Sequence, residues 1–174
     1  MGKGFVIWFT GFPNAGKTTI SKLVARYIEQ SGHAVEILDS DELPRSLTKD
    51  LSPDWETRQV QKCTNLIYIA KLLYKYDVIV LISSVGRLQK MRDVARNEIA
   101  DFVEVYLKCP LDVRLDRDTR EKYRRHPATI HYYEEPAAAE LTIETNKCSS
   151  EEAAVNVVDH LITHGYLGVY APRK

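Results

Sequence analysis

The chain has 174 residues, and its 24 Lys and Arg balance its 24 Asp and Glu, so the formal net charge is zero. With 44% hydrophobic and 28% charged residues, the composition is typical of one globular domain over residues 1–174 and excludes a disordered chain. Zero net charge excludes general attraction to polyanions, and there is no apolar run of about 18 residues. We therefore expect neither nucleic acid nor membrane as a partner.

Short apolar runs alternate with amphipathic segments along the chain. The predicted strands are 5–10, 34–38, 78–82, 102–108 and 141–144. The predicted helices are 17–30, 60–76, 88–99, 112–125 and 151–164, the last capped by Ser149 or Ser150, and 40–58 is predicted to be irregular. This alternation predicts an α/β fold with a doubly wound, mostly parallel sheet flanked by helices.

The strongest motif is a glycine-rich loop at residues 11–18. Its sequence, GFPNAGKT, matches G-x-x-x-x-G-K-[ST] and lies between a predicted strand and a predicted helix. Glycines allow the backbone N–H groups to point at phosphate oxygens, and the helix N-terminus adds partial positive charge. The predicted ATP-phosphate contacts are Gly11, Asn14, Ala15, Gly16, Lys17, Thr18 and Thr19. Within them, Lys17 would reach the β- and γ-phosphates and Thr18 would bind Mg²⁺.

Two further features favour a small-molecule kinase over a GTPase. Residues 146–149 (NKCS) begin like the guanine-selecting N-K-x-D but place Ser149 where aspartate is needed. Asp39 and Asp41 follow the second predicted strand, at the sheet edge where ligands bind in doubly wound folds. One of these carboxylates could act as a base toward an attacking hydroxyl, and both could hold Mg²⁺ through water.

Cations are concentrated between residues 114 and 125 (RLDRDTREKYRR). On a helix, Arg117, Arg120 and Arg124 would share one face, which predicts a mobile Arg-rich lid over approximately 114–135. The alternative is a solvated helix face whose arginines pair with neighbouring carboxylates.

Taken together, these segments resemble the adenylylsulfate (APS) kinase family over nearly the whole chain. The matching segments are FVIWFTGFPNAGKTT at 5–19, LDSD at 38–41, FVEVYLKCPLD at 102–112, RD at 117–118, YEEP at 133–136, EL at 140–141 and 145–152. The resemblance implies transfer of the ATP γ-phosphate to the ribose 3′-hydroxyl of a nucleotide, with Mg²⁺ as cofactor. It also implies a homodimer.

The resemblance also assigns roles to individual residues. It implies that Arg117 and Cys148 flank the donor adenine. The loop motif and the position after the second strand already predict that Lys17, Asp39 and Asp41 are catalytic and that Thr18 and Asp39 are metal ligands. The residues expected to contact the small anionic acceptor are Arg45, Arg58, Ser83, Arg87, Lys122 and Arg125. Arginine suits this task because its planar fork matches phosphate and sulfate oxygens.

Departures from the family pattern cluster in the acceptor half. They are Ser40 for the usual glycine, Pro44 with Arg45 one place after the expected arginine, SPD at 52–54 for G-F-S, QVQKCTN at 59–65 for N-I-R-R, and ISSVGR at 82–87 for I-S-P-Y-R. Trp55 could replace the missing aromatic ring. Because buried polar contacts determine specificity, this pattern is what a changed acceptor would look like.

Three hypotheses therefore remain open. The first is an adenylylsulfate kinase, making 3′-phosphoadenylylsulfate in sulfate assimilation, with a divergent acceptor pocket. The second is a related 3′-kinase of another nucleotide conjugate, such as a cytidine diphosphate derivative (for example cytidine diphosphoramidate). The third is a nucleotide-binding regulatory module without catalysis. The odd number and wide spacing of Cys63, Cys109 and Cys148 favour reduced thiols, so we expect a cytoplasmic protein.

Overall fold

The computed structural model describes residues 3–127 and 130–168. Residues 128 and 129 of the predicted lid, and residues 1–2 and 169–174 of the predicted domain, lie outside this description. Five strands form one sheet in the order β2-β3-β1-β4-β5, and every neighbouring pair is parallel. The strands are β1 Val6–Thr10, β2 Val35–Asp39, β3 Ile79–Ser83, β4 Phe102–Lys108 and β5 Leu141–Glu144. The predicted α/β class and parallel sheet are confirmed.

Helices cover both faces of this sheet. They are α1 Lys17–Gln30, α2 Arg45–Thr48, α3 Trp55–Tyr74, α4 Gln89–Glu98, α5 Leu111–Asp116, α6 Lys122–Arg125 and α7 Ser150–Thr163. Alternation along β1 separates two cores: Ile7 and Phe9 pack in the core that includes residues of α1 and α7, whereas Trp8 packs with residues of α3 and α4. Complete burial of such side chains stabilises the fold by about 1.5–3 kcal/mol each. In the described part of the chain, no helix is long and apolar enough to cross a membrane.

The prediction of a single charged helix at 112–125 is wrong. The chain instead forms α5 and α6, because the Asp118 carboxylate accepts hydrogen bonds from the backbone N–H groups of Lys122 and Tyr123, both at 3.0 Å. Glu121 adopts a left-handed backbone with φ of 51°. Side-chain acceptors of this kind compete with the helical hydrogen-bond ladder. The predicted arginine face is therefore not formed.

Two other boundaries differ from the sequence prediction. Helix α3 begins at Trp55 rather than near residue 60, because the Asp54 side chain accepts a hydrogen bond from Thr57 N at 2.8 Å and caps it. The short helix α2 lies within the segment predicted to be irregular. At α7, Ser149 is the N-cap, and its reciprocal bonds with Glu152 complete a capping box.

Candidate active site

The candidate site lies at the carboxyl edge of the sheet, where β1, β2 and β3 end side by side. Asp39 of β2 is in register with Ser83 of β3, and Ser83 is in register with Phe9 of β1. The loops that follow these strands line a cavity of about 740 Å³. This is the edge at which ligands of open parallel sheets bind.

The glycine-rich loop is built around backbone conformations that favour glycine. Gly11 has φ of +143°, and a Cβ atom there would lie 2.5 Å from the carbonyl oxygen of Leu107. Gly16 has φ of +102° and immediately precedes α1. Of the predicted ATP-phosphate contacts, Gly11 and Ala15 are buried within the loop, whereas the remaining five line the cavity. Those lining residues are Asn14, Gly16, Lys17, Thr18 and Thr19.

The Lys17 side chain lies against this loop. Its Nζ donates hydrogen bonds to the carbonyl oxygens of Gly11 at 2.9 Å and Phe12 at 2.7 Å. Burial lowers the pKa of Lys17 to about 7, with a further lowering from the nearby charge of Lys122 and opposition from Asp41. A phosphate group at the loop would supply the counter-charge that this ammonium lacks.

Thr18 and Asp39, the two predicted metal ligands, are in direct contact. Thr18 Oγ1 donates to Asp39 Oδ2 at 2.6 Å, and Asp39 Oδ1 accepts from the backbone N of Asp41 at 2.8 Å. The Asp39 side chain is buried. A hydroxyl and a carboxylate oxygen beside a phosphate loop are the hard ligands that Mg²⁺ prefers, so these residues fit the ion.

The segment predicted to form the lid, here called the lid, lies against the glycine-rich loop. Lys122 Nζ lies 2.7 Å from Asp41 Oδ2. The Tyr123 hydroxyl donates to the carbonyl oxygen of Pro13 at 3.0 Å, and the Arg114 guanidinium lies 4.0 Å from the centre of the Phe12 ring. The structure thus covers the phosphate end of the cavity with α5 and α6.

A buried arginine, which sequence reasoning missed, holds the returning end of the lid. Arg92 Nε donates to Glu104 Oε1 at 2.7 Å, and its Nη2 donates to the carbonyl oxygen of Glu134 at 2.5 Å. The same guanidinium lies 5.3 Å from the centre of the Tyr133 ring. Both partners of the Arg92–Glu104 pair are almost fully buried. Arg92 therefore ties residues 133–134 to the body of the domain.

The two residues predicted to flank the donor adenine lie at the β5 edge of the sheet. Arg117 lines the cavity, and its Nη2 donates to the carbonyl oxygen of Thr145 at 2.9 Å. Cys148 is half-buried, with Sγ 3.7 Å from the carbonyl oxygen of Glu144, and lies outside the cavity lining. The Arg117–Thr145 bond joins the lid to the segment that carries Cys148.

The predicted acceptor residues are only partly brought together. Those that line the cavity are Arg45, Ser83, Arg87, Lys122 and Arg125. Arg58 lies outside the lining, and its Nη1 donates to the carbonyl oxygens of Ser52 and Pro53, both at 3.2 Å. Arg87 Nη1 donates to the carbonyl oxygen of Tyr132 at 2.7 Å, and burial lowers the Arg87 pKa to about 10.

Further cations line the cavity that sequence analysis did not assign to the acceptor. They are Lys49, Lys62, Arg117 and Arg120. Arg120 was predicted as part of the lid, and Arg117 as an adenine contact. Lys49 and Lys62 were assigned no role, although Lys62 lies in the segment 59–65 that departs from N-I-R-R, and only the fold shows that they line the cavity.

Comparisons with known proteins agree with this geometry. The family model for adenylylsulphate kinase matches residues 3–144. An adenylyl-sulfate kinase of Halothermothrix orenii is 36% identical, covering 96% of this chain and 94% of that one. The solved structure of the Mycobacterium tuberculosis APS kinase CysC in complex with AMPPNP and APS is 28% identical, with a TM-score of 0.83 over 92% of this chain and 99% of that chain.

A hexameric APS kinase from Thiobacillus denitrificans is also similar, with 28% identity and a TM-score of 0.73 over 97% of this chain and 31% of that chain. The matched family is one of phosphotransferases that act on a hydroxyl group, which sets aside the non-catalytic hypothesis. The chain belongs to the adenylylsulphate kinase family.

Proposed function

We propose that this protein transfers the γ-phosphate of ATP to the ribose 3′-hydroxyl of adenylylsulfate, giving 3′-phosphoadenylylsulfate. The observation that carries the proposal is the contact between Thr18 and Asp39 beside Lys17, in a cavity whose lining is dominated by cations. That lining includes two carboxylates, Asp39 and Asp41. Such a charge distribution suits two polyanionic substrates that meet at one hydroxyl.

The donor half would work by backbone and lysine contacts. N–H groups of residues 14–19 would hold the phosphates, and Lys17 would exchange the carbonyls of Gly11 and Phe12 for β- and γ-phosphate oxygens. Arg117 would lie on one side of the donor adenine, held by Thr145, and Cys148 would lie near the other.

Thr18 and Asp39 would hold Mg²⁺ with the ATP phosphates. When bound, the ion would neutralise phosphate charge and fix the orientation of the γ-phosphate. The Asp39 carboxylate would also accept a hydrogen bond from the acceptor hydroxyl and take up its proton as the new P–O bond forms. In the same step the bond between the γ-phosphorus and the β,γ-bridging oxygen would break, and ADP would leave. Asp41 would assist by keeping Lys122 at the mouth of the cavity.

The lid would exclude water and stabilise charge in the transition state. Lys122, Arg120 and Arg125 all line the cavity and belong to α6 or the loop before it. Phosphoryl transfer depends mainly on positioning and on cations near the equatorial oxygens. These side chains are placed to act in that way once the substrates have entered.

The second candidate is a 3′-kinase of another nucleotide conjugate, such as a cytidine diphosphate derivative. The observation that favours it is the position of Arg58, which bonds Ser52 and Pro53 instead of lining the cavity. The resemblance to the family implied that this arginine contacts the acceptor. One arginine that the resemblance assigns to acceptor recognition thus lies outside the cavity lining.

Assembly and location are also proposals. We propose a homodimer, as the resemblance implies. We also propose a cytoplasmic location, which is supported by the free thiols of Cys63, Cys109 and Cys148. Light scattering of the purified protein would test the dimer, and an alkylation assay on intact cells would test whether the thiols are reduced.

Coupled measurement of ADP release tests the proposed reaction. The protein with MgATP should release ADP in proportion to added adenylylsulfate, and each ADP should be matched by one 3′-phosphorylated product. Lys17→Ala should abolish release because the β- and γ-phosphates lose their cation. Full activity in that variant would contradict the proposed donor site.

A further inference from the structure

Lys62 is a cation of the cavity that no motif explains. It lies on α3, is half-buried and lines the cavity. Its ammonium makes no hydrogen bond or ion pair with any residue in 3–127 or 130–168. By contrast, Lys49, which also lines the cavity, lies 3.9 Å from Asp41 Oδ1 and so has a carboxylate partner.

The surroundings of Lys62 leave its charge uncompensated. Burial lowers the pKa of Lys62, the neighbouring Cys63 thiol opposes this shift, and the nearby cations Arg87 and Lys49 lower the pKa further. Asp41 opposes this shift, but its carboxylate is already paired with Lys122 at 2.7 Å. A desolvated cation without a partner is costly, and an anionic ligand in the cavity would remove that cost.

The topology places Lys62 on the acceptor side. The predicted adenine contact Arg117 is bonded to Thr145 beyond β5, at one edge of the sheet. Helix α3, in contrast, packs on β3, on the opposite side of the central strand β1. A nucleotide carries its 3′-hydroxyl and its 5′ group on opposite sides of the ribose. Asp39 and Lys62 line the same cavity, so a 5′ group that extends from a hydroxyl at Asp39 away from the glycine-rich loop would approach the wall formed by α3.

We propose that Lys62 binds the anionic 5′ group of the acceptor nucleotide, through sulfate or phosphate oxygens, and thereby helps to select the acceptor. This inference rests on the proposed function, which supplies the nucleotide acceptor. An ammonium has three donors and no fixed fork, so it can contact a tetrahedral sulfate or phosphate in several orientations. Lys62 is a binding residue in this account and has no part in the proton transfer.

Steady-state kinetics of Lys62→Met, Lys62→Arg and Lys71→Met test this assignment. Lys71 is the matched control because it lies on the same helix but is paired with Glu98 outside the cavity. In Lys62→Met, KM for adenylylsulfate should rise about 10- to 100-fold, as expected for one lost charge-assisted hydrogen bond. KM for ATP should change by less than about twofold, and Lys62→Arg should recover part of the loss.

A second measurement does not depend on turnover. With the donor site saturated by AMPPNP, inorganic sulfate should bind to the parent protein and to the Lys71 variant with similar affinity. The affinity of Lys62→Met for sulfate should be about 10-fold lower. If adenylylsulfate is not a substrate but this sulfate difference is found, the proposed acceptor fails and the Lys62 assignment stands. Equal sulfate binding in the parent and Lys62→Met, or no sulfate binding at all, would overturn the assignment. Lys62→Gln replaces Lys62→Met if the latter does not fold.

Discussion

Lys122 and Asp41 form an ion pair across the candidate site, with Nζ 2.7 Å from Oδ2. The pair joins the lid helix α6 to the loop after β2. Both side chains remain partly exposed, at 29% and 40%, so the pair contributes little to stability, on the order of 0–1 kcal/mol. A pair this weak can be exchanged for contacts with phosphate oxygens when the substrates enter. It brings a cation to the reaction centre without fixing it there.

The first prediction concerns this lid cation. Lys122→Met should lower kcat by about 100-fold or more, because the transferred phosphoryl group loses a charged donor in the transition state. AMPPNP affinity should change much less, since the glycine-rich loop is intact. Lys147→Met is the control, because Lys147 is exposed and pairs with Glu144 away from the cavity. Stopped-time assays that give kcat unchanged for both variants would contradict a catalytic role for the lid.

The second prediction concerns the buried anchor of the lid. Arg92→Met should destabilise the fold by about 3–5 kcal/mol, because Glu104 loses its fully buried partner. Arg96→Met should cost less, about 1–2 kcal/mol, since Arg96 is one-third exposed and Glu104 would keep Arg92. Urea unfolding of the two variants measures the difference. Equal losses in the free energy of unfolding for the two variants would show that Arg92 is not the main partner of Glu104.

The third prediction compares two glycines with positive φ. Gly11→Ala should destabilise the fold by about 3 kcal/mol or more and weaken AMPPNP binding, because its Cβ would meet the Leu107 carbonyl oxygen at 2.5 Å. Gly32 has φ of +83° with no atom within 4 Å of a built Cβ. Gly32→Ala should therefore cost only the backbone strain, about 1–2 kcal/mol. Unfolding curves with and without AMPPNP check both effects, and a Gly11→Ala protein that binds AMPPNP normally would refute the loop geometry.

The fourth prediction follows from the pKa of Lys17, which burial lowers to about 7. The groups that act on it are Lys122 and Arg87, which lower the pKa, and Asp41 and Asp39, which raise it. Phosphate oxygens stabilise the charged ammonium, so nucleotide binding raises this pKa toward its ordinary value and takes up a proton when the pH exceeds about 7. At pH 8, AMPPNP binding should take up about 0.9 proton, falling to about 0.5 at pH 7.

Calorimetry in two buffers of different ionisation enthalpy measures this uptake. The apparent binding enthalpies should differ between the buffers at pH 8, and the difference should shrink at pH 7. Identical enthalpies in both buffers at pH 8 would show that Lys17 is already charged in the empty protein.

The donor half of the site was predictable because its signals are local. The loop at 11–18, its strand and its helix are contiguous, so the position of Lys17 at the start of α1 follows from sequence alone. The position of Asp39 beside the loop was also predictable, since the strands of a parallel sheet bring their carboxyl ends to the same edge, although β3 lies between β1 and β2. The sequence did not reveal that the helix is interrupted around Asp118. The Asp118 carboxylate can accept hydrogen bonds from the backbone N–H groups of Lys122 and Tyr123 only when the backbone has turned out of the helical conformation. Lys62 and Arg92 were missed because long-range packing alone decides what they face.

The most direct test of the central claim is the specificity constant kcat/KM for adenylylsulfate, measured beside AMP and cytidine and uridine diphosphate conjugates. We predict saturable, ATP-dependent formation of 3′-phosphoadenylylsulfate, with kcat/KM for adenylylsulfate at least about 100-fold above that of each alternative, as selection by buried polar contacts requires. Absence of turnover with adenylylsulfate, together with clear turnover of a pyrimidine conjugate, would contradict the account and establish the second candidate.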